Sequence, residues 1–116
     1  VILGPVDIDK LRKDAVSIFE AGVKAADPVT AVLNHFGRKG DTLDIAGKKY
    51  DLSEFGNVYV VGMGKAAASM ALAVEGVLGD RLTFGIVNVK YGHTAPLGKV
   101  RINEAGHPLP DDAGLR

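Results

Sequence analysis

The stretch Val58-Tyr-Val-Val-Gly-Met-Gly-Lys-Ala-Ala-Ala68 decides the fold of this chain. It begins with β-branched and aromatic residues that are typical of a buried strand, passes through two glycines, and continues into alanine-rich sequence that favours a helix. A strand, a tight turn and a helix in this order direct the first N–H groups of the helix towards the space beyond the carboxyl end of the strand. We therefore interpret the stretch as the start of a βαβ unit.

The turn between these two predicted elements carries Gly62, Gly64 and Lys65. Glycine permits positive φ and leaves no Cβ in the way of a ligand that approaches the backbone. Lys65 falls at about the first helical position, where a cation opposes the helix dipole by a few tenths of a kcal/mol up to about 1. Local rules are often broken where function requires it, so we interpret Lys65 as placed to meet an anion. The alternative is a solvated turn lysine.

Two further strands follow the unit. Phe84-Gly-Ile-Val-Asn-Val89 is almost continuously apolar, as in a strand with both faces covered by helices, and residues 100–103 predict a third strand. A strand, a helix and a strand within about 30 residues form a βαβ unit with parallel strands. The sequence therefore predicts an α/β fold with a Rossmann-like, open and mainly parallel sheet and flanking helices.

Residues before this unit predict two helices and a hairpin. Asp7 or Asp9 caps a first helix that runs to about residue 26, with apolar residues at helical spacing. Asp27 caps a second helix that is predicted to run through residue 36. Residues 42–52 predict a small β-hairpin at the edge of the sheet, with Gly47 at its turn.

Composition describes an ordinary soluble globular domain. The 116 residues suffice for one domain with a real core, and the 14 basic and 14 acidic side chains cancel, which disfavours nucleic-acid and membrane-surface partners. No cysteine is present, which excludes disulfides and cysteine nucleophiles, and no partner of His35 sits at metal-ligand spacing. No apolar run approaches the roughly 20 residues that span a bilayer. We expect a cytoplasmic protein.

Three glycine-containing loops are predicted at the carboxyl ends of the three strands, where ligands collect in open α/β sheets. They span residues 62–65, 90–96 and 105–111. We expect them to form an anionic substrate site, unless the glycines only make turns and the polar side chains are solvated. The polar side chains that they supply are Lys65, Lys90, His93, Thr94, His107 and Asp111.

Two nucleotide-binding motifs contain a glycine turn like that of the first loop. Gly62-x-Gly64-x-x-Ala67 fits the relaxed dinucleotide fingerprint, but Asn88-Val-Lys90 ends the next strand without an acidic residue for a ribose. Lys90 would suit a 2′-phosphate, which leaves NADP as an alternative. A Walker A loop is excluded, because it requires a glycine at Tyr59 and a hydroxyl at Ala66.

Several segments, in order along nearly the whole chain, resemble the amino-terminal domain of glycerate 2-kinases. These are MOFRL-type enzymes that often carry the name hydroxypyruvate reductase. The distinctive pair is Gly62-Met-Gly-Lys-Ala-Ala67 and Ala105-Gly-His-Pro-Leu-Pro-Asp111, and the other segments are Ala25-Ala-Asp-Pro28, Met70-Ala-Leu-Ala-Val-Glu75 and Val89-Lys-Tyr-Gly-His93.

The resemblance implies that residues 1–116 are the first part of the amino-terminal α/β domain of a larger two-domain protein, whose second domain is absent here. The implied reaction is the phosphorylation of D-glycerate by ATP, with Mg²⁺, to give 2-phosphoglycerate. Lys65 matches the catalytic lysine of the family. The substrate residues then expected are Gly62, Gly64, Lys90, His93, His107 and Asp111.

Other functions stay open beside the kinase. An NAD(P)H-dependent hydroxypyruvate reductase is one, and a non-catalytic module that binds sugar phosphates is another. The chain begins without methionine and stops where Asp111 or Asp112 would cap another helix, so we expect a piece of a longer protein that is inactive by itself. A sheet edge or helix-docking face left exposed predicts self-association into a homo-oligomer. His107 is expected either to fix a neighbouring loop or to bind substrate.

Overall fold

The computed structural model describes residues 6–115 of the chain. Within this range three short 3-10 helices, Leu52–Glu54, Gly79–Arg81 and Asp112–Leu115, accompany the main elements. The α-helices are α1 (Ile8–Ala25), α2 (Pro28–Leu33) and α3 (Ala67–Leu78). The strands are β1 (Phe36–Lys39), β2 (Thr42–Ile45), β3 (Lys48–Asp51), β4 (Tyr59–Met63), β5 (Phe84–Lys90) and β6 (Val100–Ala105).

The predicted parallel sheet is confirmed, with strand order β4-β5-β6. Tyr59 pairs with Phe84 at the start of the first ladder, and Val87 pairs with Ile102 in the second. Helix α3 connects β4 to β5, which gives the predicted βαβ unit, while residues 91–99 alone connect β5 to β6. All three strands therefore end at the same edge of the sheet.

Helix α3 forms the centre of the hydrophobic core. Its alanines are buried, and the core reaches from the parallel sheet to Leu43 and Leu52 of the amino-terminal half. Gly62 belongs to this packing, since a Cβ there would lie 3.2 Å from Val87 Cγ1 and 3.7 Å from Ala67 Cβ. Small residues thus let the helix approach the sheet closely.

The predicted hairpin exists, but it gains a third strand and forms a separate antiparallel sheet of order β1-β2-β3. Consequently the second helix ends at Leu33 rather than at residue 36. Phe36 is instead the first residue of β1 and pairs with Ile45 of β2. Strand pairing and the partial burial of Phe36 favour a strand over the helix that the sequence suggested. The prediction for residues 34–36 was wrong for this reason.

Two arginines attach the antiparallel sheet to the βαβ unit. Arg38 Nη1 donates to the carbonyl of Leu78 and lies 2.7 Å from Asp80 Oδ1. Arg81 Nη2 donates to the carbonyls of Leu52 and Phe55. Arginine suits such sites because its planar guanidinium presents several fixed donors.

Helix α1 is amphipathic, but its apolar residues are left exposed. Asp7 caps it as predicted, with its carboxylate accepting the Lys10 N–H at 3.0 Å. No residue of the helix is buried, and Ile18 and Phe19 are 74% and 70% exposed. The radius of gyration is 20.0 Å, against about 13 Å for a compact chain of this length.

One face of the parallel sheet is also open. Val61 and Met63 of β4 are 76% and 83% exposed on the face opposite α3. The sequence predicted helices on both faces, and within residues 6–115 only the α3 face carries an α-helix.

Among residues 6–115 no helix combines the length and the hydropathy needed to cross a membrane.

The carboxylate of Glu75 on α3 holds the start of β6. Its Oε1 accepts N–H groups from Gly98 at 2.8 Å and Lys99 at 3.1 Å, and its Oε2 accepts from Val100 at 3.2 Å. Partial desolvation raises the pKa of Glu75, but these three donors and the charge of Lys99 outweigh it, so that the pKa lies below its ordinary value of 4.5. The ionised form is therefore the one that stabilises the fold.

We expect Glu75→Gln to lower the free energy of unfolding at neutral pH by about 1–2 kcal/mol, because the amide offers one acceptor where the carboxylate offers two. The difference from wild type should persist above pH 4.5 and shrink as the pH falls further, when the wild-type carboxylate becomes protonated. Urea unfolding at several pH values measures this. Glu20→Gln on the exposed α1 is the control. If the free energies of unfolding of wild type and Glu75→Gln differ by the same amount at every pH, the role assigned to the Glu75 carboxylate is wrong.

Candidate functional site

Three loops at the carboxyl edge of the parallel sheet enclose a cleft of about 170 Å³. They follow β4, β5 and β6 in turn, as the sequence predicted for the ends of parallel strands. The cleft is lined by Met63, Gly64, Lys65, Asn88, Val89, Lys90, Ala105, Gly106 and His107. Four predicted site residues therefore share one surface: Gly64, Lys65, Lys90 and His107.

The first loop depends on Gly64. Its φ is +113°, a conformation that side chains with a Cβ rarely adopt, and its N–H donates to the Asn88 carbonyl at 2.9 Å. Helix α3 then begins only at Ala67, with Ala66 at the cap position. Lys65 thus precedes the helix by two residues, and the expectation of a first helical position was wrong because the turn uses two more residues before the helix starts.

Helix α3 begins without a side-chain cap, directly after Gly64 and Lys65 of the cleft lining. Ala66 has no side-chain oxygen that could accept an N–H of this turn, and no side-chain hydrogen bond caps the helix, although the Ala67 N–H donates to the Gly64 carbonyl at 3.1 Å. The Lys65 side chain is exposed beside that turn. A helix amino end without a side-chain cap and an ammonium group beside it form an environment that favours an anion.

The second loop presents Lys90 and turns away from the cleft after it. Lys90 is half-buried at the end of β5, and its carbonyl accepts the His93 N–H at 3.0 Å in a turn where Gly92 has φ +77°. His93 and Thr94 do not line the cleft. The structure therefore does not bring His93 to the other predicted substrate residues.

The third loop folds around Asp111. Its Oδ1 accepts the Gly106 N–H at 3.0 Å, and its Oδ2 accepts the Tyr91 hydroxyl at 2.7 Å. The hydrogen bond from the Gly106 N–H lowers the pKa of Asp111 most, and the hydrogen bond from the Tyr91 hydroxyl lowers it further. The Tyr91–Asp111 hydrogen bond also raises the pKa of Tyr91. Asp111 does not line the cleft, whereas His107 is exposed at its wall. The peptide bond between His107 and Pro108 is cis.

The charges of the cleft suit an anion and not a metal ion. Lys65, Lys90 and His107 line it, and none of its lining residues is a carboxylate. In residues 6–115 no three histidine or carboxylate side chains cluster as metal ligands would. The nearby carboxylate of Asp111 is already engaged at both oxygens. The described residues therefore do not fit Mg²⁺.

Comparisons with known proteins identify the family of this chain. The family described as "Domain of unknown function (DUF4147)" matches residues 14–116. The chain belongs to the DUF4147 family. A protein of Pyrococcus horikoshii named glycerate 2-kinase is 36% identical over 105 residues, which cover 90% of this chain and 23% of that protein. A D-glycerate 2-kinase of Thermotoga maritima is 37% identical over 95% of this chain and 23% of its own length.

Other relatives of this DUF4147 chain carry a different name. An Agrobacterium vitis protein named putative hydroxypyruvate reductase is 38% identical over 85% of this chain and 19% of its own length. Among solved structures, a protein from Pyrococcus horikoshii superimposes with a TM-score of 0.72 at 35% identity, over 96% of this chain and 24% of that one. The glycerate kinase of Thermotoga maritima gives 0.62 at 32% identity, over 90% and 22%.

These matches confirm the resemblance to glycerate 2-kinases that the sequence suggested. The chain spans about a fifth to a quarter of the length of these relatives. Its fold thus corresponds to one part of relatives that are several times longer.

Sequence reasoning missed the contribution of Asn88 to the cleft. Asn88 pairs with Asn103 in the β5–β6 register, and Asn103 Nδ2 donates to Asn88 Oδ1 at 2.6 Å. Asn88 Nδ2 in turn donates to the Gly114 carbonyl. The available signal was an asparagine within each of two predicted strands, Asn88 and Asn103. A half-buried amide requires a hydrogen-bond partner, so two such residues on neighbouring strands are expected to pair.

Gly106 gives a steric test of the third loop. A Cβ at Gly106 would lie 2.6 Å from the Leu109 carbonyl oxygen and 3.1 Å from Asp111 Cγ. We expect Gly106→Ala to displace the loop and to lower the free energy of unfolding by about 1–3 kcal/mol. Urea unfolding measures this, with Gly56→Ala as control because a Cβ there meets nothing within 4 Å. Equal stability of the two variants would show that the loop is not tightly closed.

Proposed function

We propose that this chain supplies the substrate-binding surface of an ATP-dependent glycerate 2-kinase, which converts D-glycerate to 2-phosphoglycerate. The observation that carries the proposal is the cleft at the sheet edge, with Lys65, Lys90 and His107 and no carboxylate in its lining. The relatives named glycerate 2-kinase give the reaction its identity. The activity belongs to the whole protein, and the chain by itself is proposed to be inactive.

Lys65 is proposed as the catalytic residue of this surface. Phosphoryl transfer depends mainly on positioning and on positive charge around the transferring group. A lysine on a glycine turn beside an uncapped helix provides both. The carboxylate of glycerate and the transferring phosphoryl group are the two anions of the reaction, and each has the charge that Lys65 would stabilise.

Gly64, Lys90 and His107 are proposed to surround the substrate. Gly64 leaves the backbone open to close approach, since a Cβ there would meet nothing within 4 Å, although φ +113° disfavours one. Lys90 offers a second cation from the neighbouring strand. His107 adds a ring nitrogen that can donate to or accept from a hydroxyl group. ATP and Mg²⁺ are proposed to bind residues of the whole protein other than residues 6–115.

A hydroxypyruvate reductase that uses NAD(P)H is the second candidate, because two relatives carry that name. The dinucleotide fingerprint supports it only weakly. Its first glycine, Gly62, packs against Val87 and Ala67, and β5 ends in Lys90 without a carboxylate for a ribose. A module that only binds sugar phosphates is the third candidate.

Two assays of the whole protein distinguish the candidates. Consumption of ATP with D-glycerate identifies the kinase, and oxidation of NADPH with hydroxypyruvate identifies the reductase. Phosphate binding without either turnover identifies the binding module. We expect turnover only with ATP and glycerate, and NADPH oxidation at a comparable rate would overturn the proposal.

Lys65→Ala should reduce kcat/KM for glycerate by a hundredfold or more, about 2–3 kcal/mol of transition-state stabilisation. Lys65→Arg should restore activity only in part, because the forked guanidinium needs more space on a tight turn than an ammonium group. Stability should hardly change, since Lys65 is exposed and lies before the helix. Steady-state kinetics and thermal unfolding measure the two effects.

Lys49→Ala is the matched control, because Lys49 is an exposed lysine of β3 in the other sheet. It should change neither activity nor stability. If Lys65→Ala destabilises the protein and leaves kcat/KM unchanged, Lys65 is structural and the proposed catalytic residue is wrong.

Self-association remains a prediction. Its motivation is the exposed apolar face of α1 and the open face of the parallel sheet. Sedimentation velocity over a wide range of concentrations tests it, and a monomer at every concentration would contradict it. A cytoplasmic location likewise stays a proposal.

A further inference from the structure

Asp111 lies where the loops that follow β5 and β6 meet. One carboxylate oxygen accepts the backbone N–H of Gly106 at 3.0 Å, and the other accepts the hydroxyl of Tyr91 at 2.7 Å. Gly106 and Tyr91 are the sequence neighbours of His107 and Lys90, two of the polar residues that line the cleft. The Asp111 carboxylate thus connects the two loops through one side chain.

We propose that Asp111 and Tyr91 are positioning residues of the anion-binding cleft, which hold His107 and Lys90 at a fixed separation across it. This inference rests on the proposed function of the cleft. It assigns Asp111 a task different from the substrate contact expected from the sequence. It also assigns a task to Tyr91, which the sequence did not single out.

Geometry argues against direct contact between Asp111 and an anionic substrate. Asp111 is absent from the lining of the cleft, and both of its carboxylate oxygens already accept hydrogen bonds. A carboxylate within the cleft would also repel the anion that Lys65 and Lys90 attract. Asp111 therefore acts through the loops that it joins.

The loop closes tightly around this carboxylate. Gly106 leaves no space for a Cβ, which would lie 3.1 Å from both Asp111 Cγ and Oδ2. A displaced Asp111 would consequently release the backbone that carries His107. Tyr91 adds the lateral connection, and its backbone N–H also donates to the Ala105 carbonyl at 3.2 Å.

Asp111 is in turn anchored to the sheet through the segment that follows it. Its carbonyl accepts the Gly114 N–H at 3.0 Å. Asn88 Nδ2 donates to the Gly114 carbonyl at 3.3 Å, and Asn103 Nδ2 donates to the Ala113 carbonyl at 2.7 Å. The amides of β5 and β6 thereby fix the position from which Asp111 reaches the two loops.

Four variants of the whole protein separate this assignment from a general loss of structure. Asp111→Ala removes both acceptors, and Tyr91→Phe removes one donor. Asp111→Asn keeps an oxygen for the Gly106 N–H and offers an amide that can donate to the tyrosine oxygen. Asp112→Ala is the matched control, because Asp112 is the exposed neighbouring aspartate.

We expect Asp111→Ala to raise KM for glycerate about tenfold or more while kcat changes by less than about threefold, as for loss of uniform binding. Tyr91→Phe should raise KM less, because Tyr91 is 53% exposed and water replaces the lost partner. Asp111→Asn should restore most of the affinity. Tyr91→Phe should add nothing in the Asp111→Ala background, since both changes break the same connection.

Titration with inorganic phosphate gives a second measurement that does not require turnover. Backbone amide signals of Lys65 and Lys90 report binding to the cleft, and we expect Asp111→Ala, but not Asp112→Ala, to weaken it about tenfold. Phosphate binding that depends on Asp111 in a protein without glycerate turnover would refute the kinase and preserve the positioning assignment.

The opposite results would overturn the assignment. One is a collapse of kcat alone in Asp111→Ala, which would place the carboxylate in the reaction itself. Another is that Asp111→Ala leaves KM and phosphate binding unchanged, while Lys65→Ala abolishes the binding of glycerate and of phosphate. The assignment is also refuted if the effects of Tyr91→Phe and Asp111→Ala are strictly additive. It is refuted as well if the wild type does not bind phosphate and Asp111→Ala leaves KM unchanged.

Discussion

Burial of α3 is the constraint on which the rest of the structure depends. The helix is apolar over most of its circumference, and its five buried residues are Ala67, Ala68, Ala71, Ala73 and Leu78. A helix of this kind must be covered on more than one side. It contacts the parallel sheet and also α2 and β1, so both halves of the βαβ unit and the amino-terminal elements share one core.

The two ends of α3 are treated differently. At the carboxyl end, Arg38 donates to the Leu78 carbonyl, and Lys99 Nζ donates to the carbonyls of Gly79 at 3.0 Å and Leu82 at 2.8 Å. Cations there satisfy free carbonyls and complement the helix dipole. At the amino end Ala66 provides no cap. The helix is thus anchored away from the cleft and left available for an anion beside it.

The same separation holds for the charged side chains around the sheet edge. Lys65 and Lys90 face the cleft, while the carboxylates of Glu104 and Asp111 accept backbone N–H groups of Gly92 and Gly106. Acidic groups are therefore used to shape the loops and basic groups to line the cleft. This arrangement is what an anionic substrate requires, and it is the physical basis of the kinase proposal.

Sequence by itself determined the βαβ unit, because the apolar strands, the glycine turn and the alanine-rich helix are local signals read at the period of each element. It also placed three loops at one edge, since parallel strands share their carboxyl ends. Tertiary structure alone decided the third strand of the second sheet and the end of α2, where Ile45, the strand partner of Phe36, lies nine residues along the chain. It likewise decided that Gly62 serves packing and that Asp111 joins loops and does not line the cleft. A side chain that can bind a ligand can equally bind the protein's own backbone, and only the position of its neighbours in space shows which it does.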